Sequence, residues 1–414
     1  MGGAHPTDFD PFDRRVIEAP YEYYRALRHH APVYEVPGAG FHVVSSYALA
    51  QRVALEPEVF SSNLVAVLLS GGASTPQMLA LDLGEVDAKP VDVLATVDPP
   101  LHTRQRRVIS RAFLARRMAE LEPTVRSRAV ALIERVVDSG GCEWMEAVAK
   151  PLPLTLITDL IGLPRTDTET LACWSDAAIA TLSGAITAEQ WTESLRQIAS
   201  FQRYLAERFR EAERDPRDDL LGELVLATRE GADGLSRAEA KAALFQLFIA
   251  GNESTTSLLG SAVRLMLEHP QVEACVRHDP ARIGDLLDEA LRLESPFQGH
   301  FRVVRAATRL GETLLEPGSR VMVLWGAANR DESVFAEPDR LDLDRPNVKS
   351  HLAFGLGIHY CLGAALARME ARVVLEELVA RCPRVRLAPA YVPTHVASLF
   401  VRRLRALELV VGRH

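Results

Sequence analysis

His351-Leu-Ala-Phe-Gly-Leu-Gly-Ile-His-Tyr-Cys-Leu-Gly-Ala-Ala-Leu-Ala-Arg-Met-Glu370 decides how the rest of this chain is read. Gly355 and Gly357 precede Cys361, Gly363 follows it, and a run of strong helix formers begins at Ala364. Glycine permits positive φ and close approach of the backbone to a ligand. Phe354 to Tyr360 is therefore expected to be a tight loop that delivers one cysteine to the mouth of a helix. Free N–H groups and the positive end of the helix dipole favour an anion there. A cysteine so placed is expected to have a lowered pKa. A lone cysteine is more often an ordinary core residue, so the remainder of the chain has to decide.

Composition bounds the choice. The chain has 414 residues, 48% hydrophobic and 25% charged, enough for a large buried core. A net charge of −8 argues against a nucleic-acid surface. Cys142, Cys173, Cys275, Cys361 and Cys382 are far apart and odd in number, which suggests a reducing compartment and no disulfide framework. The first ten residues, Met1 to Asp10, lack the apolar run of a signal peptide or membrane anchor, so a cytoplasmic protein is expected.

Outward from the cysteine loop, Pro20–His30 and Tyr47–Leu55 read as helices, with a hairpin of Val33–Val36 and Phe41–Val44 between them. Residues 61–97 read as irregular, with a flexible Ser70-Gly-Gly-Ala-Ser-Thr75 patch, and suit either a lid or a surface excursion. Asp98-Pro99-Pro100 starts a helix on which His102 and Arg106 share a face, a pairing suited to a doubly anionic partner. Arg104, Arg107 and Arg111 lie off that face and, with Arg368, suit docking of an acidic protein.

Ser236-Arg-Ala-Glu239 is a capping box that opens an apolar helix of about 30 residues, ending near Glu268 before Pro270. So long and apolar a helix must cross the interior. Its middle holds Ala250-Gly251-Asn252-Glu253-Ser254-Thr255-Thr256, poor choices for a helix centre. Buried polar groups cost free energy unless partnered, and local rules broken in mid-core mark function. Ala250 and Ser254 share a face, one giving room and the other a hydroxyl. Glu253 and Thr255 flank it and suit proton transfer.

The pattern Phe354-Gly355-x-Gly357-x-His359-x-Cys361-x-Gly363 resembles the haem-ligand signature of the cytochrome P450 family and departs from it nowhere. Asp98-Pro-Pro-x-His102-x-x-x-Arg106 is similar to that family's propionate-binding helix. The acid followed by an alcohol resembles its oxygen-activation segment, except that Ser254 stands where the family usually has Thr. Thr255 is one residue on, about 100° around the helix, so either hydroxyl suits the role.

The resemblance implies a mostly α fold with a small β-rich lobe, the P450 fold. It implies one domain over 1–414, β-rich over about 1–60, with the helical haem-binding core over about 98–380. It implies a thiolate bond from Cys361 to the iron of haem b, pushing electron density that favours O–O cleavage. His102, Arg106, Arg302 and His359 would hold propionates, with Phe354, Gly355, Gly363 and Ala250 around the macrocycle. Glu289 and Arg292 would form a buried triad with Arg340, behind the cysteine loop. Leu182-Ser183-Gly184 would roof a pocket lined by Phe297, Gly299, His300, Ile249, Ala250, Leu399 and Phe400, with His300 available to bond a polar group on the substrate. Zinc at His359 is disfavoured, because no Cys-x-x-Cys accompanies it.

The expected reaction is insertion of one atom of O2 into a lipophilic substrate. The chain carries no Gly-x-Gly-x-x-Gly unit and no cysteine cluster. Electrons are therefore expected from a separate ferredoxin and its reductase, and NAD(P)H acts only through them. A monomer is expected. The rival readings are a non-oxygenating haem-thiolate isomerase or dehydratase, and a haem-binding sensor or carrier.

Overall fold

The computed structural model describes residues 3–63, 66–69, 76–80, 93–181, 183 and 186–412. The helices that position the site are α1 (Tyr21–His30), α2 (Tyr47–Leu55), α3 (Leu101–Ile109), α4 (Ala115–Ser139), α5 (Pro151–Ile161), α6 (Arg237–Glu268), α7 (Ile283–Leu293) and α8 (Ala364–Arg381). The axis of the molecule is α6. Its capping box is formed as the sequence implies, with Ser236 accepting from the Glu239 N–H and the Glu239 carboxylate accepting from the Ser236 N–H. Thirty-two residues make it about 48 Å long. Every residue from Thr255 to Met266 is buried, as expected of a helix surrounded by protein. It packs against α5, α7 and α8. Much of the surrounding core comes from α4, α7, α8 and the buried Trp144.

The β lobe is built from both ends of the chain. Strands β1 (Val33–Glu35), β2 (His42–Val44), β3 (Phe60–Ser61), β4 (Gly299–Val304) and β5 (Arg320–Leu324) form one sheet in the order β1-β2-β5-β4-β3. The N-terminal hairpin pairs Val33 with Val44. β5 lies parallel to β2, with Val321 opposite His42, and antiparallel to β4, with Val323 opposite His300. A further hairpin, Thr308–Leu310 with Thr313–Leu315, sits between β4 and β5.

Alternation along β4 and β5 separates two apolar layers. Val304, Val321 and Val323 join Trp325, Phe335 and Leu352 on one face, against Leu356 of the cysteine loop. Met322 and Leu324 join Tyr23, Tyr24 and Phe41 on the other, with Phe301 and Phe400. Residues 66–69 pair antiparallel with 77–80, inside the stretch read as irregular. Most of the expected lid, including the Ser70–Thr75 patch, lies outside the described residues, as do Leu182 and Gly184 of the expected roof. Among the described residues no helix is long and apolar enough to cross a membrane.

Candidate functional site

Gly355 and Gly357 adopt φ of +69° and +71°, as the loop reading requires. Gly357 has a second constraint, since a Cβ there would meet the Ala54 carbonyl oxygen at 2.5 Å. That contact docks the loop on the end of α2. Gly363 is different, with a negative φ and open space where a side chain would go. It leaves room beside Cys361 and relieves no backbone strain. The Cys361 N–H donates to the Phe354 carbonyl at 2.8 Å, closing the loop. The cysteine side chain is exposed, yet dense protein around it raises the thiol pKa. The Gly363 N–H and the charges of Arg106 and Arg368 act in the opposite direction and are outweighed. This corrects the helix-mouth expectation of a lowered pKa: here burial wins, and a coordinated cation is what would deprotonate the thiol. Behind the loop, the Arg368 guanidinium lies 4.4 Å over the Phe354 ring and 3.1 Å from Asp288. Asp288 also meets the buried His351 at 3.3 Å.

Four nitrogen-bearing side chains converge near the thiol. His102 and His359 stand ring to ring at 4.5 Å, and the Nε2 atoms of both are buried without partners. Burial lowers the pKa of His102, and pushes that of His359 down to about 3. Arg302 is buried on β4 and donates to the Phe301 carbonyl at 2.7 Å. No carboxylate pairs with it among the described residues, and burial lowers it to about 10. Arg106 donates to the Tyr360 carbonyl at 2.8 Å, and its charge reaches both Cys361 and His359. Asp98, the nearby carboxylate, is occupied by Arg305 at 2.6 Å and by the N–H of Ser62 and the hydroxyl of Ser61. Buried donors with no anion are costly. The cluster has the charge and donors to hold a dianion.

α6 presents its broken middle to the same region. Ala250 is exposed at the centre of a core-crossing helix, and Ser254 is half-buried, donating to the Ala250 carbonyl at 3.2 Å. Thr255 is 3% exposed, turned into the packed side. The two hydroxyls left open by the sequence are thus separated: Ser254 fronts the opening and Thr255 does not. Glu253 is 3% exposed, and Oε1 lies 2.9 Å from Nε of Arg403 without alignment for a hydrogen bond. Burial raises its pKa and Arg403 opposes the rise. Ile249 packs with Phe248 and Ile157 in the cluster that also receives Leu362, next to the cysteine.

Three groups of residues stand elsewhere than the sequence suggests. Glu289 and Arg292 are fully buried and bidentate, at 2.5 and 2.9 Å, but the third member is Arg345 at 3.0 Å. Arg340 is exposed, and only its carbonyl takes part, accepting from Arg292 and Arg345 at 3.0 Å each. Residues 329–350 are mostly irregular, so spacing alone does not choose between two arginines five apart. Arg104, Arg107 and Arg111 are not a free basic patch. They pair with Glu239, Asp233 and Glu230 at 2.5, 3.1 and 2.6 Å; the first pair ties α3 to the start of α6, and the other two hold the segment just before it. Arg368 is likewise held by Asp288. Leu399 and Phe400 sit on the far layer of the sheet. Phe400 rests against Phe301, and Leu399 lines an apolar cavity with Tyr23, Phe41 and Met322. Phe297 stays near His300, at 5.5 Å between rings, while Gly299 is buried so tightly that a Cβ would meet the Val323 carbonyl at 2.5 Å.

One buried acid was not singled out. Glu370 on α8 is 2% exposed, Oε2 has no partner, and burial raises its pKa to about 8. Arg403 and Trp325 were missed as well, since each acts through a contact between segments far apart in sequence.

Comparison with known proteins identifies the family. The cytochrome P450 family model matches residues 185–285 and 283–389. "Cytochrome P450 144" of Mycobacterium tuberculosis is 38% identical over 97% of this chain and 91% of its own length. "Cytochrome P450 130" of the same organism is 33% identical over 93% of each chain. Among solved structures, cytochrome P450 CREJ matches at a TM-score of 0.90 with 27% identity, covering 98% of this chain and all of that one. CYP109E1 of Bacillus megaterium matches at 0.86 with 27% identity over 97% of this chain and all of that one. With an exposed cysteine behind paired glycines, a core helix that carries an acid–alcohol step at its centre, and relatives covering nearly the whole chain, the chain belongs to the cytochrome P450 family of haem-thiolate monooxygenases.

Proposed function

We propose that Cys361 is the iron ligand of a b-type haem, and that the chain oxygenates a lipophilic organic substrate using electrons from a separate ferredoxin and its reductase. The observation that carries this reading is an exposed cysteine near two buried imidazole nitrogens, of His102 and His359, that have no partner among the described residues. His102, Arg106, Arg302 and His359 would hold the two propionates. Phe354, Gly355 and Gly363 shape the ligand loop, and Ala250 leaves room on the distal side. When bound, haem iron supplies the activation of O2: one atom enters the substrate and the other leaves as water, with two electrons and two protons consumed.

The protein's own residues manage water, protons and orientation. Ser254 donates to a carbonyl of its own helix, so its lone pairs stay free to accept at the open face. That makes Ser254, and not Thr255, the hydroxyl that passes a proton. Glu253 is held protonated more readily by burial and sits one residue back, with the Arg403 charge against it. Phe297, Ile249 and Ala250 offer apolar contact. A lipophilic substrate is in keeping with relatives: CYP109E1 was solved with testosterone, and P450BioI with a hexadecenoic acid carried on an acyl carrier protein. The retained acid–alcohol step favours oxygenation over a haem-thiolate isomerase or dehydratase, and over a haem sensor.

The carbon monoxide difference spectrum of the reduced protein tests the ligand. A strongly red-shifted Soret band is expected, and Cys361→His is expected to retain haem while losing both that band and oxygenation. A Soret band typical of histidine-ligated haem in the wild-type protein would overturn the assignment. For the relay, Ser254→Ala is expected to divert electrons to peroxide roughly tenfold more than Thr255→Ala. Equal coupling in the two variants would remove Ser254 from its role.

A further inference from the structure

Trp325 fixes the protonation state of one residue in the site. An indole N–H donates and never accepts. Nε1 of Trp325 lies 2.8 Å from Nδ1 of His300, so Nδ1 must present its lone pair. A neutral imidazole whose Nδ1 accepts carries its proton on Nε2. An imidazolium would set two N–H groups against each other and is excluded by the same contact. Burial and the nearby Arg302 act in the same direction and hold the His300 pKa down at about 4. Trp325 has little freedom to release the ring. It is 2% exposed and packed with Val323, Val321 and Phe335.

The other end of the imidazole is free. His300 is exposed on a strand whose preceding residue, Gly299, is buried and whose next, Phe301, is partly buried. It is also surrounded closely enough to be desolvated. Phe297 stands beside it at 5.5 Å, and His359 of the cofactor cluster lies within electrostatic reach of the same ring. No protein acceptor meets Nε2 among the described residues. His300 therefore offers one oriented donor beside the Phe297 ring, with Arg302 two residues along the strand.

Resting on the haem-thiolate reading of the same site, we propose that His300 is a specificity-determining residue whose Nε2–H, oriented by Trp325, donates to an oxygen acceptor on an otherwise lipophilic substrate. The substrate class is a molecule with a carbonyl, ether or hydroxyl oxygen set away from the carbon to be oxygenated. Amines are disfavoured, because Arg302 lies two residues along the same face of β4 and no carboxylate pairs with it among the described residues.

The test uses two ring compounds matched in size, cyclododecanone and cyclododecane, titrated into the ferric holoprotein and followed by the Soret shift. In His300→Phe the ratio of ketone to hydrocarbon affinity is expected to fall roughly three- to tenfold, as for one lost hydrogen bond. Hydrocarbon affinity and haem content are expected to stay within about twofold. His300→Gln, which restores an N–H, is expected to recover most of the ratio, and Trp325→Phe to lower it partway. An unchanged ratio in His300→Phe overturns the inference while the red-shifted carbon monoxide band keeps the haem-thiolate reading. Faster haem loss in His300→Phe with an unchanged ratio also overturns it, by giving the N–H to a propionate. If neither compound shifts the wild-type Soret band, the lipophilic pocket fails and the inference falls with it.

Discussion

Two buried charge clusters lie on either side of the cysteine loop, and they are finished to different degrees. Around Glu289 every group is answered. Two arginines reach its carboxylate, the Asp342 N–H donates to it at 2.8 Å, and the spare guanidinium donors go to carbonyls of Asn329, Ala336, Pro338 and Arg340. Around Arg302 the donors converge, and among the described residues no carboxylate pairs with it, the nearby Asp98 being taken by Arg305. A complete cluster is scaffolding: it joins α7 to residues 329–345 and has no capacity left for a ligand. An incomplete one costs stability until something fills it. The same residue types, at similar burial, serve opposite ends because one set was closed and the other was left open.

Breaking the closed cluster has the largest expected effect. Glu289→Gln strands two buried guanidinium groups, and a loss of about 3–5 kcal/mol is expected in urea unfolding of the holoprotein, with Arg345→Ala close behind. A loss under about 1 kcal/mol would mean that this cluster is no more essential than a surface pair.

The open cluster has its own response to pH. The pKa of His359 falls from 6.5 to about 3 on folding. Below pH 6.5 the unfolded chain takes up a proton that the native protein refuses, so stability must fall as the pH drops toward 3. The slope is about 1.4 kcal/mol per pH unit for this histidine. An anion in the cluster raises the histidine pKa and flattens that slope. Chemical unfolding of haem-free protein between about pH 6 and pH 4, against His359→Gln, reads the difference directly. Identical slopes for the two proteins would show that His359 does not carry the penalty.

Smaller effects sharpen the contrast. Arg302→Leu removes an unpaired buried charge, so it is expected to leave stability unchanged or raise it by about 1 kcal/mol. It should also speed haem transfer to apomyoglobin roughly tenfold. If haem transfer is unaffected, the open cluster is not the propionate seat. Arg340→Ala should change stability by less than about 0.5 kcal/mol, the mark of an exposed side chain whose backbone does the bonding.

What the sequence disclosed follows from the range over which each signal acts. The capping box at Ser236, the positive-φ glycines at 355 and 357 and the hairpin at Val33–Val44 are local, and each was readable from a few neighbouring residues. The acid–alcohol step was visible because Ser254 and Glu253 violate helix-centre preferences. The choice between Ser254 and Thr255 needed the packing of α6 against its surroundings. Arg345 in place of Arg340, Arg403 opposite Glu253 and the Trp325 lock on His300 all join distant segments, and no local rule points to them. The ion pairs of Arg104, Arg107 and Arg111 were unreadable for a related reason: the carboxylates they meet are about 120–135 residues downstream.

Glu370 sits on the helix that begins just after the cysteine, where burial pushes its carboxyl pKa up to about 8 and leaves Oε2 without a partner, which favours the neutral acid at neutral pH. A neutral carboxylic acid stretches its C=O bond at an infrared frequency clear of ionised carboxylates and of most of the amide envelope. α8 therefore contains its own optical gauge of dryness. Any event that lets water reach the inner face of α8, whether haem departure, partner docking or a loosened core, would shift or erase one vibrational band without a label being attached.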